Sequence, residues 1–179
     1  MNKYQASIHS YLYLLILSLP IILLSRSVSA DESLTYNITS PISAIVQKIH
    51  VKKGQSVKKG DLLLEFDDSL IAGDLAEAKA NMSLAKIKLA EAKKEQNRAE
   101  ELYDITVLSE HERQQAKVLY QAAIAHYAQS KNQHLHAQWE MQHSKLYAGF
   151  AGQISQILTY PGQYINNQLT AQVLLMIRK

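Results

Sequence analysis

An internal repeat constrains this chain more than any other feature of its sequence. Two β-rich segments, residues 44–57 and 152–165, resemble each other at an offset of 108 residues. The matching positions are Val46 with Ile154, Ile49 with Ile157, Gly54 with Gly162, Gln55 with Gln163, and Val57 with Ile165. Because a short hairpin alone is marginally stable in water, we expect the two copies to close one small sandwich together.

Glycines mark the turns of both copies. Gly54 and Gly162 follow the alternating apolar and polar residues of each copy, and a tight turn there requires φ > 0. Pro161 fixes its own φ and favours the second of these turns. In the first copy, Lys58 to Asp61 predicts a further turn before an apolar strand over residues 62–66.

The residues between the copies repeat apolar and small side chains at alternating spacings of four and three, which is typical of a coiled coil. The first series is Ile71, Leu75, Ala78, Met82, Ala85, Leu89, Ala92, Gln96, Ala99 and Tyr103. The second series is Ala116, Tyr120, Ala123, Tyr127, Ser130, His134, Ala137, Met141 and Ser144. We expect the first series to form one helix of roughly 50 Å, at 1.5 Å per residue, and the second series to pack against it antiparallel.

The predicted organisation is an α+β chain in which a helical hairpin interrupts a small β-domain. The first β half covers residues 36–68, and the second covers residues 147–179. The hairpin covers residues 69–146, with its tip near residues 104–109.

The first thirty residues read as a targeting segment rather than as part of the fold. Lys3 precedes an apolar run over residues 11–24, and Val28, Ser29 and Ala30 form a signal-peptidase site. The alternative is an uncleaved N-terminal anchor, since residues 7–25 nearly reach the length of a membrane span. The absence of cysteine excludes disulfides and lipid attachment through a thiol. Without residues 1–30 the formal charge is near neutral, which argues against nucleic-acid binding.

The β halves resemble the biotinyl/lipoyl-like domain of the HlyD family of membrane fusion proteins, or periplasmic adaptors. The resemblance covers residues 36–177, and its motif positions are Ala44, Gly54, Gln55, residues 57–63 and Asp67. It implies a lipoyl-like barrel-sandwich hybrid. It also implies an adaptor in the Gram-negative periplasm, associated with the inner membrane. Its partners would be an RND or ABC-type inner-membrane transporter and a TolC-like outer-membrane channel.

The same resemblance extends to a docking motif of the form Arg-x3-Leu-x6-Ser, which Arg98, Leu102 and Ser109 match. In adaptors that recruit TolC-like channels, the resemblance implies that these side chains contact the channel. Taken singly, Arg98 is explained as a solvated charge and Leu102 as a hairpin-core residue. Ser109 is also explained as a helix N-cap, because acidic residues follow it.

Catalysis, cofactors and metals are not expected. In a lipoyl or biotin carrier the modified lysine lies at the hairpin between the halves, and residues 66–69 contain none there. No nucleophile triad, phosphate loop or paired carboxylates stand out. His126, His134, His136 and His143 share the second helix without a convergent spacing, so they predict no metal site.

Two function classes remain open at this point. Familiar adaptors continue into a β-barrel and a membrane-proximal domain, for which this sequence has no residues. One hypothesis is a minimal adaptor that forms a homo-oligomer or joins a companion adaptor supplying those parts. The other is a truncated or non-transport coiled-coil binding protein with a lipoyl-like domain that carries no cofactor.

Overall fold

The structure is a computed structural model that describes residues 34–167 and 170–179. The predicted signal peptide or anchor over residues 1–30 lies outside the described residues. The strands are β1 (Thr35–Thr39), β2 (Ala44–Ile49), β3 (Ser56–Val57), β4 (Leu62–Phe66), β5 (Lys145–Tyr147), β6 (Gly152–Ile157), β7 (Tyr164–Ile165) and β8 (Val173–Arg178). Between β4 and β5 lie the helices α1 (Ser69–Asp104) and α2 (Glu110–Gln142). No helix of this described part is both long and apolar enough to cross a membrane.

Two antiparallel four-stranded sheets form the β-domain. Their strand orders are β1-β8-β6-β3 and β5-β4-β2-β7. Each sheet takes strands from both sides of the helical hairpin, so neither half of the chain can complete a sheet alone. This arrangement confirms the predicted fold, a sandwich of two halves interrupted by a hairpin.

The repeat is realised as reciprocal pairing between the copies. Ala44 of β2 lies opposite Ile165 of β7, and Val57 of β3 lies opposite Gly152 of β6. The two pairings are equivalent, because Ala44 corresponds to Gly152 and Val57 corresponds to Ile165 at the 108-residue offset. The turn glycines follow the same rule: the Gly54 amide donates to the Ile154 carbonyl at 2.7 Å. In the other copy the Gly162 amide donates to the Val46 carbonyl, also at 2.7 Å.

The repeat also extends further than the sequence motif. Strand β1 pairs with β8 as β5 pairs with β4, with Ile38 opposite Leu175 and Leu146 opposite Leu64. Ile38 and Leu146 are again 108 residues apart. Each copy therefore contributes four strands. Two of them are the inner strands of one sheet, and the other two are the edge strands of the other sheet.

The predicted turn glycines adopt the backbone that their positions require. Gly54 has φ of 84° and Gly162 has φ of 89°, and Gly60 in the second turn has φ of 91°. This is the left-handed region, which residues with a Cβ rarely adopt. The prediction of φ > 0 at both repeat glycines is confirmed.

The core fills the space between the two sheets with apolar side chains from both copies. Alternation across β2 turns Ala44 and Val46 inward, whereas β4 and β8 each bury two consecutive residues, Leu63 with Leu64 and Leu174 with Leu175. Fully enclosed members include Val46, Leu63, Leu64, Phe66, Ile154, Ile165, Leu174, Leu175 and Ile177. Burial of this kind contributes roughly 25 cal/mol for each Å² of apolar surface.

Gly152 serves packing instead of a turn. A Cβ at this position would lie 2.6 Å from the Arg178 carbonyl oxygen and 2.7 Å from the Ile177 Cγ2 atom. Strand β8 therefore approaches the start of β6 more closely than any side chain would permit.

The hairpin packs through a narrow seam whose fully buried positions carry small side chains. Every residue of the two predicted series is buried or half-buried, whereas most other positions on α1 and α2 are exposed. The buried helix residues are Ala85, Ala99, Ser130 and Ala137. Small side chains allow the helix axes to approach closely, in the manner of a coiled coil.

Hydrogen bonds join the hairpin to the sheet at its base. The Phe66 amide, at the end of β4, donates to the Ser144 carbonyl at 2.8 Å, just after α2 ends. Asp67 accepts hydrogen bonds from the amide of Ser69 at 3.0 Å and from the Ser69 hydroxyl. These bonds lower the pKa of the Asp67 carboxyl. Asp68 takes the N-cap position of α1, without a side-chain capping bond.

Candidate functional site

The tip of the hairpin is residues 105–109, which connect α1 to α2. Helix α1 ends in a Schellman arrangement, in which the Thr106 amide donates to the Tyr103 carbonyl at 2.9 Å. The Val107 amide donates to the Leu102 carbonyl, also at 2.9 Å. The position that normally carries glycine is Thr106, with φ of 60°. A β-branched residue in this region costs roughly 1–2 kcal/mol, so the turn is strained.

Two large apolar side chains flank that strained residue. Ile105 is 64% exposed and Val107 is 68% exposed, although both belong to residue types that are usually buried. Neither covers the hairpin seam. The tip therefore presents apolar surface to its surroundings.

Ser109 starts α2 with a complete capping box. Its hydroxyl accepts from the Glu112 amide at 3.3 Å, and the Glu112 carboxylate accepts from the Ser109 amide at 2.9 Å. The same carboxylate accepts from the Ser109 hydroxyl at 2.6 Å. Hydrogen bonding to Ser109 lowers the pKa of Glu112 below its ordinary value. Ser109 thus has the capping role that its sequence neighbours indicated.

Arg98 and Leu102 lie one helical turn apart and line one groove beside the tip. This tip groove has a volume of about 400 Å³ and lies between α1 and α2. Its lining residues are Ala92, Glu95, Arg98, Ala99, Leu102, Leu108, Glu112, Gln115, Ala116 and Leu119. Most of its floor is apolar, and its rim carries the charges of Arg98, Glu95 and Glu112.

The guanidinium of Arg98 is available to a partner. Its side chain is 69% exposed, and its ion-pair partner is Glu95 on the same helix at 3.4 Å. Exposed pairs of this kind are worth little in water and exchange readily. Ser109 lies outside the groove lining, but its capping partner Glu112 lies in it. The structure therefore brings Arg98 and Leu102 together and connects Ser109 to them through Glu112.

Arg113 joins the two helices next to the tip, and the sequence interpretation missed it. Its guanidinium contacts Glu110 at 2.7 Å on its own helix and Glu100 at 3.2 Å on α1. It also lies 4.5 Å from the centroid of the Tyr103 ring, a cation–π geometry. The coiled-coil series could have revealed it, because Arg113 lies three residues before Ala116 and continues the same spacing.

The histidines of α2 form no convergent site. His143 stacks on Trp139 with ring centroids 4.2 Å apart, and its Nδ1 donates to the Trp139 carbonyl at 2.7 Å. His136 lies 3.7 Å from Glu140, while His126 lines a different stretch of the hairpin. Among residues 34–167 and 170–179, no three His, Asp or Glu side chains are placed to hold a metal ion.

Comparison with known proteins places this geometry in a family. Residues 34–177 match the family model described as RND MFP, barrel-sandwich hybrid domain. The multidrug resistance protein MdtA of Proteus mirabilis is 28% identical over 140 residues, which is 78% of this chain and 34% of that protein. MdtA of Escherichia coli is 32% identical over 78 residues, covering 44% of this chain and 19% of that protein. The chain thus spans about a third or less of the length of these curated relatives.

Solved structures share the fold. A putative efflux transporter from Bacteroides eggerthii superposes with a TM-score of 0.61 at 23% identity, covering 82% of this chain and 40% of that one. The MacA-MexA chimeric protein, which contains the Pseudomonas aeruginosa MexA α-hairpin domain, gives a TM-score of 0.53 at 27% identity. That match covers 81% of this chain and 46% of the chimera. The chain therefore belongs to the RND membrane fusion proteins, the efflux adaptor family defined by this barrel-sandwich hybrid and its helical hairpin.

Proposed function

We propose that this chain is a periplasmic adaptor that links an inner-membrane transporter to a TolC-like outer-membrane channel. In this role the hairpin tip contacts the channel, and the protein bridges its partners without catalysing a reaction. The observation that carries the proposal is the tip itself. Arg98 and Leu102 share one apolar groove, beside the exposed side chains of Ile105 and Val107.

The chemistry of the tip suits a helical protein partner. An apolar groove rimmed by an exposed guanidinium resembles the centre of a protein interface, where apolar anchors and arginine supply most of the binding energy. Arg98 can exchange its weak pairing with Glu95 for carboxylates or backbone carbonyls of a channel. Leu102 and Val107 can fill apolar notches between channel helices.

The relatives support the transport context. The family model names RND systems, which favours an RND transporter over an ABC-type transporter as the inner-membrane partner. The MdtA proteins are named for multidrug resistance, and the Bacteroides structure is described as a putative efflux transporter. Such a bridge spans the periplasm, so we propose that location, in association with the inner membrane.

Site-specific crosslinking tests the docking assignment. The chain contains no cysteine, so a single Val107→Cys variant carries a photoreactive label at the tip and nowhere else. In cells with a TolC-like channel, we expect a crosslink between the labelled tip and that channel. Leu102→Asp should weaken the crosslink by about tenfold or more, as expected when a charge replaces an apolar anchor.

A matched substitution separates docking from folding. Leu84→Asp places the same charge on a half-exposed leucine of α1, outside the tip groove, and should leave the crosslink intact. Circular dichroism should show unchanged helicity in both variants. A full-strength crosslink in the Leu102→Asp variant would contradict the docking role, and would favour a coiled-coil protein that binds other partners.

A further inference from the structure

Two clefts adjoin each other at the base of the hairpin, far from the tip. The first, which we call the junction cleft, has a volume of about 300 Å³ and lies where β2 and β7 meet the first turns of α1. Its lining includes Ile42, Ile45, Asp67, Leu70, Ile71 and Tyr164. The second, the helix cleft, has a volume of about 480 Å³ and lies between α1 and α2. Asp74 and Glu140 line both clefts, so the two are neighbours.

The junction cleft has an apolar wall that is open to its surroundings. Strand β2 turns Ala44 and Val46 inward, so Ile45 between them faces outward and is half-exposed. Tyr164 lies opposite Ile45 on β7 and is 61% exposed. Leu70, in the first turn of α1, is 82% exposed. Two aliphatic side chains and one aromatic ring therefore form this wall.

Carboxylates supply the charge of both clefts. Hydrogen bonds at the start of α1 lower the pKa of Asp67, so this group is ionised at neutral pH. In the part of the chain that the structure describes, Asp74 and Glu77 have no ion-pair partner. Glu140 lies 3.7 Å from His136 on its own helix. The described residues that line the clefts include no lysine or arginine. Clefts with walls of one charge raise the local concentration of the opposite charge, here of cations.

The cation that suits these clefts is organic. A metal ion needs several ligands that converge on one point, and residues 34–167 and 170–179 place no three His, Asp or Glu side chains in that way. The carboxylates here lie instead around apolar and aromatic surface. An organic cation can cover Ile45 and Leu70 with its carbon atoms while its charge contacts the ring of Tyr164.

The size of the clefts favours a small molecule over a protein partner. Small-molecule sites have volumes of roughly 300–1,000 Å³, and both clefts reach this size. We propose that the two clefts bind a lipophilic organic cation. Its apolar body contacts Ile45, Leu70 and Tyr164. Its charge is neutralised by Asp74 and Glu140. The proposal adds a ligand site to a protein whose proposed role is to bridge two partners.

Two ions of matched size test the proposal on the full chain. Tetraphenylphosphonium is a lipophilic cation, and tetraphenylborate is an anion of nearly the same size and shape. Isothermal titration calorimetry measures the affinity of each for the unaltered protein. We expect tetraphenylphosphonium to bind at least about tenfold more tightly, because carboxylates attract the cation and repel the anion. Equal affinities, or no binding of tetraphenylphosphonium, would overturn the proposal.

Charge-matched variants locate the site. Asp74→Asn combined with Glu140→Gln preserves the shapes of both side chains, and should weaken tetraphenylphosphonium binding by at least about tenfold. Glu91→Gln combined with Glu101→Gln removes the same charge from exposed positions of α1 outside both clefts. This control should bind almost as the unaltered protein does. Losses of equal size in the two double variants would contradict the assignment of the clefts.

A pair of tyrosines tests the apolar wall. Tyr164→Ala should weaken tetraphenylphosphonium binding about threefold, because the cation loses its contact with the ring. Tyr160→Ala removes a similarly exposed ring outside both clefts, and should leave the affinity unchanged. Circular dichroism should show the same helicity in both variants. If the Tyr164 variant binds as tightly as the Tyr160 variant, the proposed site is wrong.

A second copy of the chain and a basic protein segment are the competing occupants. An interface between copies predicts that the Asp74→Asn/Glu140→Gln variant changes its sedimentation coefficient and keeps its affinity for tetraphenylphosphonium. A basic segment predicts that an oligolysine peptide binds more tightly than tetraphenylphosphonium. Either result would overturn the proposal. Neither bears on the Leu102→Asp crosslink, so the docking proposal and this one fail separately.

Discussion

The β-domain and the hairpin differ in the size of the side chains that they bury. The β-domain encloses large side chains such as Phe66, Leu64 and Ile154 between two sheets. The fully buried residues of the hairpin are alanines and one serine, and the hairpin leaves Leu84 and Leu119 half-exposed. Apolar stabilisation scales with the area removed from water. The difference teaches that stability is concentrated in the β-domain, while the hairpin offers surface for binding.

The largest expected effect tests where that stability lies. Phe66→Ala removes a core side chain that is 2% exposed, and should lower the free energy of unfolding by about 3–5 kcal/mol. Leu84→Ala removes a half-exposed leucine from the hairpin, and should change it by no more than about 0.5 kcal/mol. Urea denaturation of both variants measures this contrast. Similar losses in the two variants would show that the hairpin carries more of the stability than its burial indicates.

Two glycines provide a second contrast between the regions. Gly152→Ala forces a Cβ against the Arg178 carbonyl, and should destabilise the β-domain by about 1–3 kcal/mol. Gly73 on α1 has open space around it, so Gly73→Ala should stabilise the hairpin by about 1 kcal/mol through helix propensity. Thermal unfolding should shift in opposite directions for the two variants. A stabilising Gly152→Ala would contradict the close approach of β8.

Arg113 tests whether specific contacts replace burial at the tip. Arg113→Met removes the pairing with Glu100 and Glu110 and the contact with Tyr103. We expect faster amide hydrogen exchange over residues 105–112 and little change in the β-domain. Lys117→Met, one turn further along α2 on an exposed position, is the control. If amide exchange at the tip does not change in the Arg113 variant, the capping box alone stabilises the tip.

The smallest effect concerns pH at the start of α2. Hydrogen bonds lower the pKa of Glu110 through Arg113 and that of Glu112 through Ser109, from an ordinary value of 4.5. A carboxyl group whose pKa is lowered in the folded state contributes its full stabilisation at pH values above the ordinary pKa. The contribution is lost as pH falls through the lower folded-state pKa.

The measurement is amide exchange in the first turn of α2, corrected for its intrinsic pH dependence. The first turn should open more often below about pH 4.5, and the β-domain should not change there. Ser109→Ala should reduce the pH dependence, because Glu112 loses the bonds that lower its pKa. If exchange in this variant depends on pH as strongly as in the unaltered protein, the capping box is not the cause of the pH dependence.

The sequence revealed the features that repeat and hid those that depend on three-dimensional proximity. The 108-residue offset predicted the sandwich, and the spacing of Ala85, Ala99 and Ala137 predicted the seam. Both signals are repeated spacings, which can be recognised in the amino-acid sequence without a structure. The equivalence of β1 and β5 left too little residue identity to be recognised, since Ile38 and Leu146 share only apolar character.

The sequence predicted those features of the tip that depend on neighbouring residues, and not those that depend on contacts between the helices. Ser109 as a cap follows from local residue order, since Glu112 lies three residues on. The ion pair of Arg113 with Glu100 joins residues on different helices, and no local rule indicates it. Thr106 in a left-handed conformation contradicts its residue preference, so the turn geometry could not be read from the sequence. The docking role of Arg98, Leu102 and Ser109 stays a prediction.

Reciprocal strand pairing has a consequence for how the protein is made. Strands β2 and β3 pair with β7 and β6, which are synthesised about a hundred residues later. Until the second half is synthesised, the first half lacks partner strands and cannot complete either sheet. A flexible loop of the hairpin's length would cost roughly 4 kcal/mol to close. We expect the hairpin helices to pair early, because their contacts are local, and this pairing would bring Phe66 and Ser144 together before the sheets close.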